Sequence, residues 1–269
     1  AALRHFDLGD LSLEFHIFGD LPGRSGLGGS SAFTVGLLNA LYHLVPDRTC
    51  SGVRPDQLAD LAIDFEQQVI QEAVGCQDQI FAALGGLRFL EFPMNHCWRF
   101  EPLALSAARR TALEASLALV YIGTMRDAHE MATRQLAEQR SNYGAVANGV
   151  FCTPRFALRL MAQQARDARA LLLDEDRPLD GLGAMLHDAW LLKRGLADGV
   201  TLPEADALYA RGRGCGALGG KLLGAGGGGF MLFWVPRERR AEFEQGIGAP
   251  VTSVRITDRG SRTIITEES

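Results

Sequence analysis

Apolar and polar positions alternate through Leu11-Ser12-Leu13-Glu14-Phe15-His16-Ile17, a period of two that predicts a half-buried strand. The period changes after a glycine-rich stretch, where Phe33, Leu37, Leu38, Leu41 and Leu44 recur at helical spacing. A second helix is expected from Pro55 and Asp56, with Leu58, Leu61, Ala62, Phe65 and Val69 on one face and Gly75 as its stop. A loop, Gly75 to Gln79, follows. Gly85-Gly86 reads as a turn into a strand reaching Phe92, and Leu117 to Tyr121 as a further strand. Helical periodicity then fills roughly 125–145, 154–174, 180–194 and 203–213. The chain closes on a strand Phe230 to Val235, a charged helix near 236–245 and a strand Val251 to Ile256. Helices and strands are mixed without regular alternation, so the expected class is α+β.

Composition narrows the function classes. The 269 residues are 47% apolar and 22% charged, within the globular range, and no apolar run approaches the length of a membrane span. A net charge of −5 without a basic stripe argues against a nucleic-acid partner. Five scattered cysteines without a CxxC pair read as reduced thiols of a cytoplasmic protein. No secretory or transit segment is evident at the N-terminus.

Glycine is the outlier, 31 residues with two dense clusters. In the first, Gly26, Leu27, Gly28, Gly29, Ser30 and Ser31 directly precede an amphipathic helix. Unhindered amides, a helix N-terminus and hydroxyls make an anion site, and such a hydroxyl can also ligate magnesium held against phosphates. An ordinary Gly/Ser turn with an N-cap is the commoner use of such a loop. The second cluster runs from Gly219 to Gly229; Gly214 to Gly219 and Gly224 to Gly229 each satisfy GxGxxG, but the first follows a helical stretch and the second enters a strand, where a dinucleotide fingerprint needs strand, loop and helix. What survives is a backbone able to lie flat against another segment or a ligand. Glu66 falls roughly 70° from the centre of its helix's apolar face, a border position that usually makes a surface ion pair. Asp78 falls in a small-residue loop, where it suits either chemistry or a helix cap.

Taken in order, these segments are more specific than any one alone. Gly26-Leu27-Gly28-Gly29-Ser30-Ser31-Ala32 resembles the second motif of the GHMP kinases, and Lys221 to Gly229 resembles their third. The stretches Phe33 to Leu41, Gly75-Cys76-Gln77-Asp78-Gln79, Gly85-Gly86-Leu87 and Lys221-Leu222-Leu223-Gly224 look most like the D-glycero-D-manno-heptose 7-phosphate kinase branch. The family's first motif, carried upstream of this region by other members, has no counterpart in the sequence.

The resemblance implies an N-terminal ribosomal-protein-S5-like domain over 1–112, incomplete at its start. It implies a ferredoxin-like C-terminal domain with extra helices over 113–269, and an active site between the two. It further implies ATP as donor, Mg2+ as cofactor and a small sugar phosphate as acceptor. By motif, Gly26 to Ser31 would cradle the triphosphate, Ser30 and Glu66 would hold magnesium, and Asp78 would face the acceptor hydroxyl. Gly224, Ala225, Gly226, Gly227 and Arg126 would line the acceptor. In the heptose branch that hydroxyl is anomeric and the product is a 1,7-bisphosphate destined for nucleotide-activated heptose and surface glycan. Kinases for other sugars or small alcohols, and a silent nucleotide-binding relative, remain alternatives, and a homodimer stays open. An ionised Asp78 close to ATP calls for a nearby cation, for which Arg24, Arg126 and Lys221 are the candidates.

Overall fold

The computed structural model describes residues 1–10, 12–21, 25–45, 52–93, 98–123, 145–147, 150–152, 154–194, 201–224 and 226–264. Its contacts divide the chain into two units, one of residues 1–23, 28–87 and 257–269, the other of residues 24–27 and 88–256.

The first unit is helical. Gly28 adopts a left-handed conformation (φ 71°) and from it runs the helix Gly29–Tyr42. Its buried face is Ser31, Thr34, Val35, Leu38 and Leu41, a three-four spacing, so Phe33 and Leu44 lie off that face and are exposed. Pro55 starts the next helix, Pro55–Asp64, where its missing N–H costs nothing. The helix then widens into a π turn, Phe65–Val69, with the Ile70 amide bonded to the Phe65 carbonyl at 3.0 Å. Gln71 takes a positive φ of 56°, so the helix ends before the expected stop at Gly75. Gln77–Leu84 forms a further helix in which Ile80 and Ala83 are buried. The strand expected through Ile17 is not found among the described residues. Residues 12–18 pair with no strand among the described residues, and Phe15, Ile17 and Phe18 are exposed, Phe18 to 91%. Alternation sets which face a strand buries, but a partner must supply the ladder.

The chain returns to this unit at its far end. Thr257 accepts from the Gly86 amide at 2.7 Å, the Ser261 amide donates to the Ala82 carbonyl at 2.8 Å, and the Asn39 side chain donates to Ser261 Oγ at 3.0 Å.

In the second unit Arg88–Glu91 (β1) and Arg99–Pro102 (β2) form an antiparallel pair. The principal sheet uses Leu117–Tyr121 (β3), with a separate small hairpin of Ala145–Ala147 (β4) and Val150–Cys152 (β5). Gly219–Leu222 (β6), Phe230–Trp234 (β7) and Val251–Ser253 (β8) complete the order β6-β7-β3-β8, antiparallel throughout. Val120 and Leu222 both pair with Met231, which puts Ala118, Val120, Leu222, Met231 and Phe233 on one face. They form a core with Trp190 of the helix Gly181–Arg194, Leu208 and Tyr209 of the helix Pro203–Gly214, and Phe243 of the helix Arg240–Gly246.

One charge is buried beside that core for structural reasons. Arg109, on the helix Ala107–Ser116, donates to the carbonyls of Leu171 (2.5 Å), Leu172 (2.7 Å) and Arg177 (3.1 Å). It thereby closes the C-terminal end of the helix Pro154–Leu173, where carbonyls lack helical partners and the dipole favours a cation. The helix expected over 125–145 lies outside the described residues, apart from Ala145 in β4. The whole is α+β. Among the described residues no helix is long and apolar enough to cross a membrane.

Candidate active site

In the first unit, the free amides of Gly29, Ser30 and Ser31 open a helix whose first turn carries no acidic side chain. Asp78 stands beside them. A Cβ on Gly28 would come within 3.1 Å of Asp78 Cγ and 3.2 Å of its Oδ2, so only glycine accommodates both the positive φ and the carboxylate. Asp78 is not in a loop as expected, because the helix Gln77–Leu84 begins at the preceding residue. Its side chain stays open to solvent, yet the neighbouring chain removes enough water to raise its pKa above the usual carboxylate value. The negative charge of Glu66 adds to that rise and a hydrogen bond from Gln77 opposes it. No basic group among the described residues figures in the shift.

Glu66 departs from the border position expected of it. It is 1% exposed, at the second residue of the π turn, where the helices Gly29–Tyr42 and Gln77–Leu84 pack against its own. Ser31 Oγ donates to its Oε2 at 3.0 Å and Gln79 Nε2 donates to the same oxygen. Its Oε1 is buried without a partner, as is Gln79 Oε1. A buried carboxylate with an orphaned oxygen is costly unless a cation completes it. Hard oxygen donors of this kind fit magnesium, which binds through one or two protein oxygens together with substrate phosphates. Of the two serines, Ser31 is the one bonded to Glu66, while Ser30 is exposed.

In the second unit the two glycine clusters meet backbone to backbone. Gly26 (φ 78°) faces the turn after β6, and a Cβ on Gly224 (φ 66°) would lie 2.7 Å from Gly26 Cα. The Phe230 amide donates to the Ser25 carbonyl at 3.2 Å. Gly226 and Gly227 also hold positive φ, at 109° and 75°. Ala225, Arg126 and Arg24 lie outside the described residues. Lys221, on β6, has its pKa lowered by burial.

Sequence reasoning missed Lys193. It lies in the last turn of Gly181–Arg194, donates to the Leu222 carbonyl at 3.0 Å and to that of Gly224 at 2.5 Å, and burial with the nearby Lys221 charge lowers its pKa to about 7. A lysine there reads as a solvated cation complementing the dipole. The available signal was its spacing of three from Trp190, which is fully buried on the same helix.

The family models for the GHMP kinases N terminal domain and the GHMP kinases C terminal match residues 1–86 and 168–247. The chain is 28% identical over 236 residues to the D-glycero-alpha-D-manno-heptose 7-phosphate kinase of Campylobacter jejuni, covering 87% of this chain and 64% of that protein. It is 27% identical over 232 residues to the mevalonate kinase of Pyrococcus horikoshii, covering 86% and 62%. The chain thus spans less than two thirds of the length of either relative. In fold it is similar to the crystal structure of a D-glycero-D-manno-heptose 1-phosphate kinase from Bacteriodes thetaiotaomicron, with a TM-score of 0.63, 23% identity, and coverage of 93% and 67%.

Proposed function

Because this chain belongs to the GHMP kinase family, we propose that it transfers the γ-phosphoryl group of ATP to a hydroxyl of a small molecule, the anomeric hydroxyl of D-glycero-D-manno-heptose 7-phosphate. The observation that carries the reading is Asp78 held beside Gly28 at the start of a helix with free amides, with the buried Glu66 and Ser31 pair in the same unit. Phosphoryl transfer needs alignment and charge stabilisation more than covalent help. The Gly26 to Ser31 loop offers amides to the phosphates, and Asp78 orients the acceptor hydroxyl and takes its proton as the new oxygen–phosphorus bond forms and ADP leaves. Its raised pKa makes it a better proton acceptor than an ordinary carboxylate. Glu66 with the Ser30 or Ser31 hydroxyl would hold magnesium, whose charge offsets that developing on the phosphoryl oxygens. Gly224 to Gly227 and Arg126 line the acceptor in this reading, and the reaction takes place in the cytoplasm.

The heptose phosphate is favoured over other acceptors by the C. jejuni relative, the more identical of the two. A kinase of another small alcohol is the second reading, favoured by the similarity to mevalonate kinase. Both are tested by incubating the protein with magnesium-ATP and, separately, the heptose 7-phosphate, mannose, galactose, homoserine and mevalonate, with products followed by phosphorus NMR. A new anomeric phosphate with the heptose alone, absent in Asp78→Asn, is the expected result. Phosphorylation of mevalonate or homoserine instead establishes the second reading, and silence across the panel overturns both for these acceptors.

A further inference from the structure

The glycine turn between β6 and β7 has few means of holding its shape. It carries almost no side chains, and glycine backbone loses the most freedom on ordering. The ladder reaches the Leu223 amide, which donates to the Phe230 carbonyl at 2.9 Å, and on the other shoulder the Gly229 carbonyl accepts from the Ile122 amide at 2.9 Å. Beside the first shoulder stands Lys193, 8% exposed, its ammonium bonded to the carbonyls on either side of Leu223. With a pKa lowered to about 7 the group is an ammonium below that pH, and hydrogen bonds from a charged donor are stronger than those between neutral groups. The far side of the same turn is pressed on Gly26, whose own Cβ position would lie 3.0 Å from the Leu223 carbonyl oxygen.

We propose that Lys193 is a positioning residue that clamps the turn Leu222–Gly224 onto Gly26 and thereby sets the shape of the loop that receives the nucleotide phosphates. The inference rests on the kinase reading for what the loop binds, but the clamp itself is a statement about this chain alone. Lys193 acts through the backbone and touches no reacting atom. Among the described residues, Lys221 on β6 is the charged group that acts on its ammonium, and no carboxylate among them does so. Burying a cation without a counter-ion costs stability, which its two carbonyl partners offset in part.

The test compares Lys193→Met, Lys193→Gln and Lys193→Arg with the parent. Amide hydrogen exchange over residues 222–230 needs neither ATP nor turnover, so it reads the clamp even where the kinase reading fails. Exchange there is expected to quicken at least about tenfold in the Met variant, which loses both hydrogen bonds of the lysine, while β3 and residues 231–234 of β7 keep their protection. In the active protein KM for ATP rises by a similar factor while kcat changes less, and Arg, which keeps charge and donors, restores most of both. Unchanged exchange in folded Met or Gln variants overturns the proposal. So does faster exchange accompanied by an unaltered KM for ATP in an active protein. Should the Met variant not fold, the Gln variant carries the same comparison.

Discussion

Ser31 Oγ donates to Glu66 Oε2 at 3.0 Å, joining the first turn of one helix to the π turn of another across 35 positions of sequence. The bond fixes a helix N-terminus to a buried carboxylate that still has an oxygen to spare. In the proposed kinase, metal binding and loop geometry would therefore be set by the same pair of side chains.

Replacing Glu66 by Gln removes the charge and keeps an acceptor for Ser31. Turnover is expected to fall by on the order of 10²-fold or more, because transition-state charge stabilisation is lost. The magnesium concentration for half-maximal rate is expected to rise. The melting temperature stays level or increases, since a neutral amide is cheaper to bury than a lone carboxylate. Steady-state rates across a magnesium series and thermal melts check the three together, and chelation by EDTA abolishes activity in the parent.

Asp78→Asn removes the proton acceptor without changing size. A rate loss of roughly 10²–10⁴-fold is expected at neutral pH. In the parent, kcat/KM falls as pH drops through the carboxylate's pKa, and burial places that acid limb above the range of an ordinary aspartate. The linkage has the opposite sign for stability. A folded-state pKa above the unfolded one favours the protonated form, so stability is greatest at low pH and declines as pH rises through that window. The Asn variant is thus expected to melt no lower than the parent at pH 7, measured by calorimetry at several pH values.

The glycines divide into two kinds. A Cβ on Gly229, at φ 97°, would meet the Ser25 carbonyl oxygen at 2.2 Å, so Gly229→Ala forces backbone apart and is expected to cost roughly 2–4 kcal/mol. Gly29 has nothing within 4 Å of its Cβ position and no positive φ. Gly29→Ala should leave urea midpoints unchanged, and any weakening of ATP binding in it reports directly on phosphate contact.

Arg109→Met strands the buried Leu171 carbonyl and leaves the part-buried carbonyls of Leu172 and Arg177 without this donor. A loss of about 3 kcal/mol is expected from unfolding in urea, as unsatisfied buried groups bear their full desolvation cost.

Long amphipathic segments were legible from their period. Helices at 154–173, 181–194 and 203–214 lie within a residue or two of where the spacing puts them. The pair β1 and β2 was half visible, since every residue of Arg99–Pro102 is exposed and no alternation marks it. Asp78 was placed in a loop because Cys76 offers no side-chain cap to announce the helix after it. The π turn has no pattern of its own, and without it Glu66 counts to a border. For the second glycine cluster the composition left two partners open, a ligand or another segment, and Ser25 and Gly26 occupy part of it. Lys193 was hidden because a terminal lysine is ordinarily solvated, and its burial depends on a turn 29 positions later.

The return of Thr257 to Ser261 onto Asn39, Ala82 and Gly86 bears on how the protein is made. Asn39 waits for a partner 222 residues away, so this unit is finished only after residues far downstream of it have emerged. Loop closure over such a span is slow and entropically demanding, whereas the sheet of the intervening unit draws all its strands from residues 117–253. Acquisition of structure therefore runs against the order of synthesis: the middle of the chain is able to settle while the helix bearing Asp78 still lacks its closing contacts.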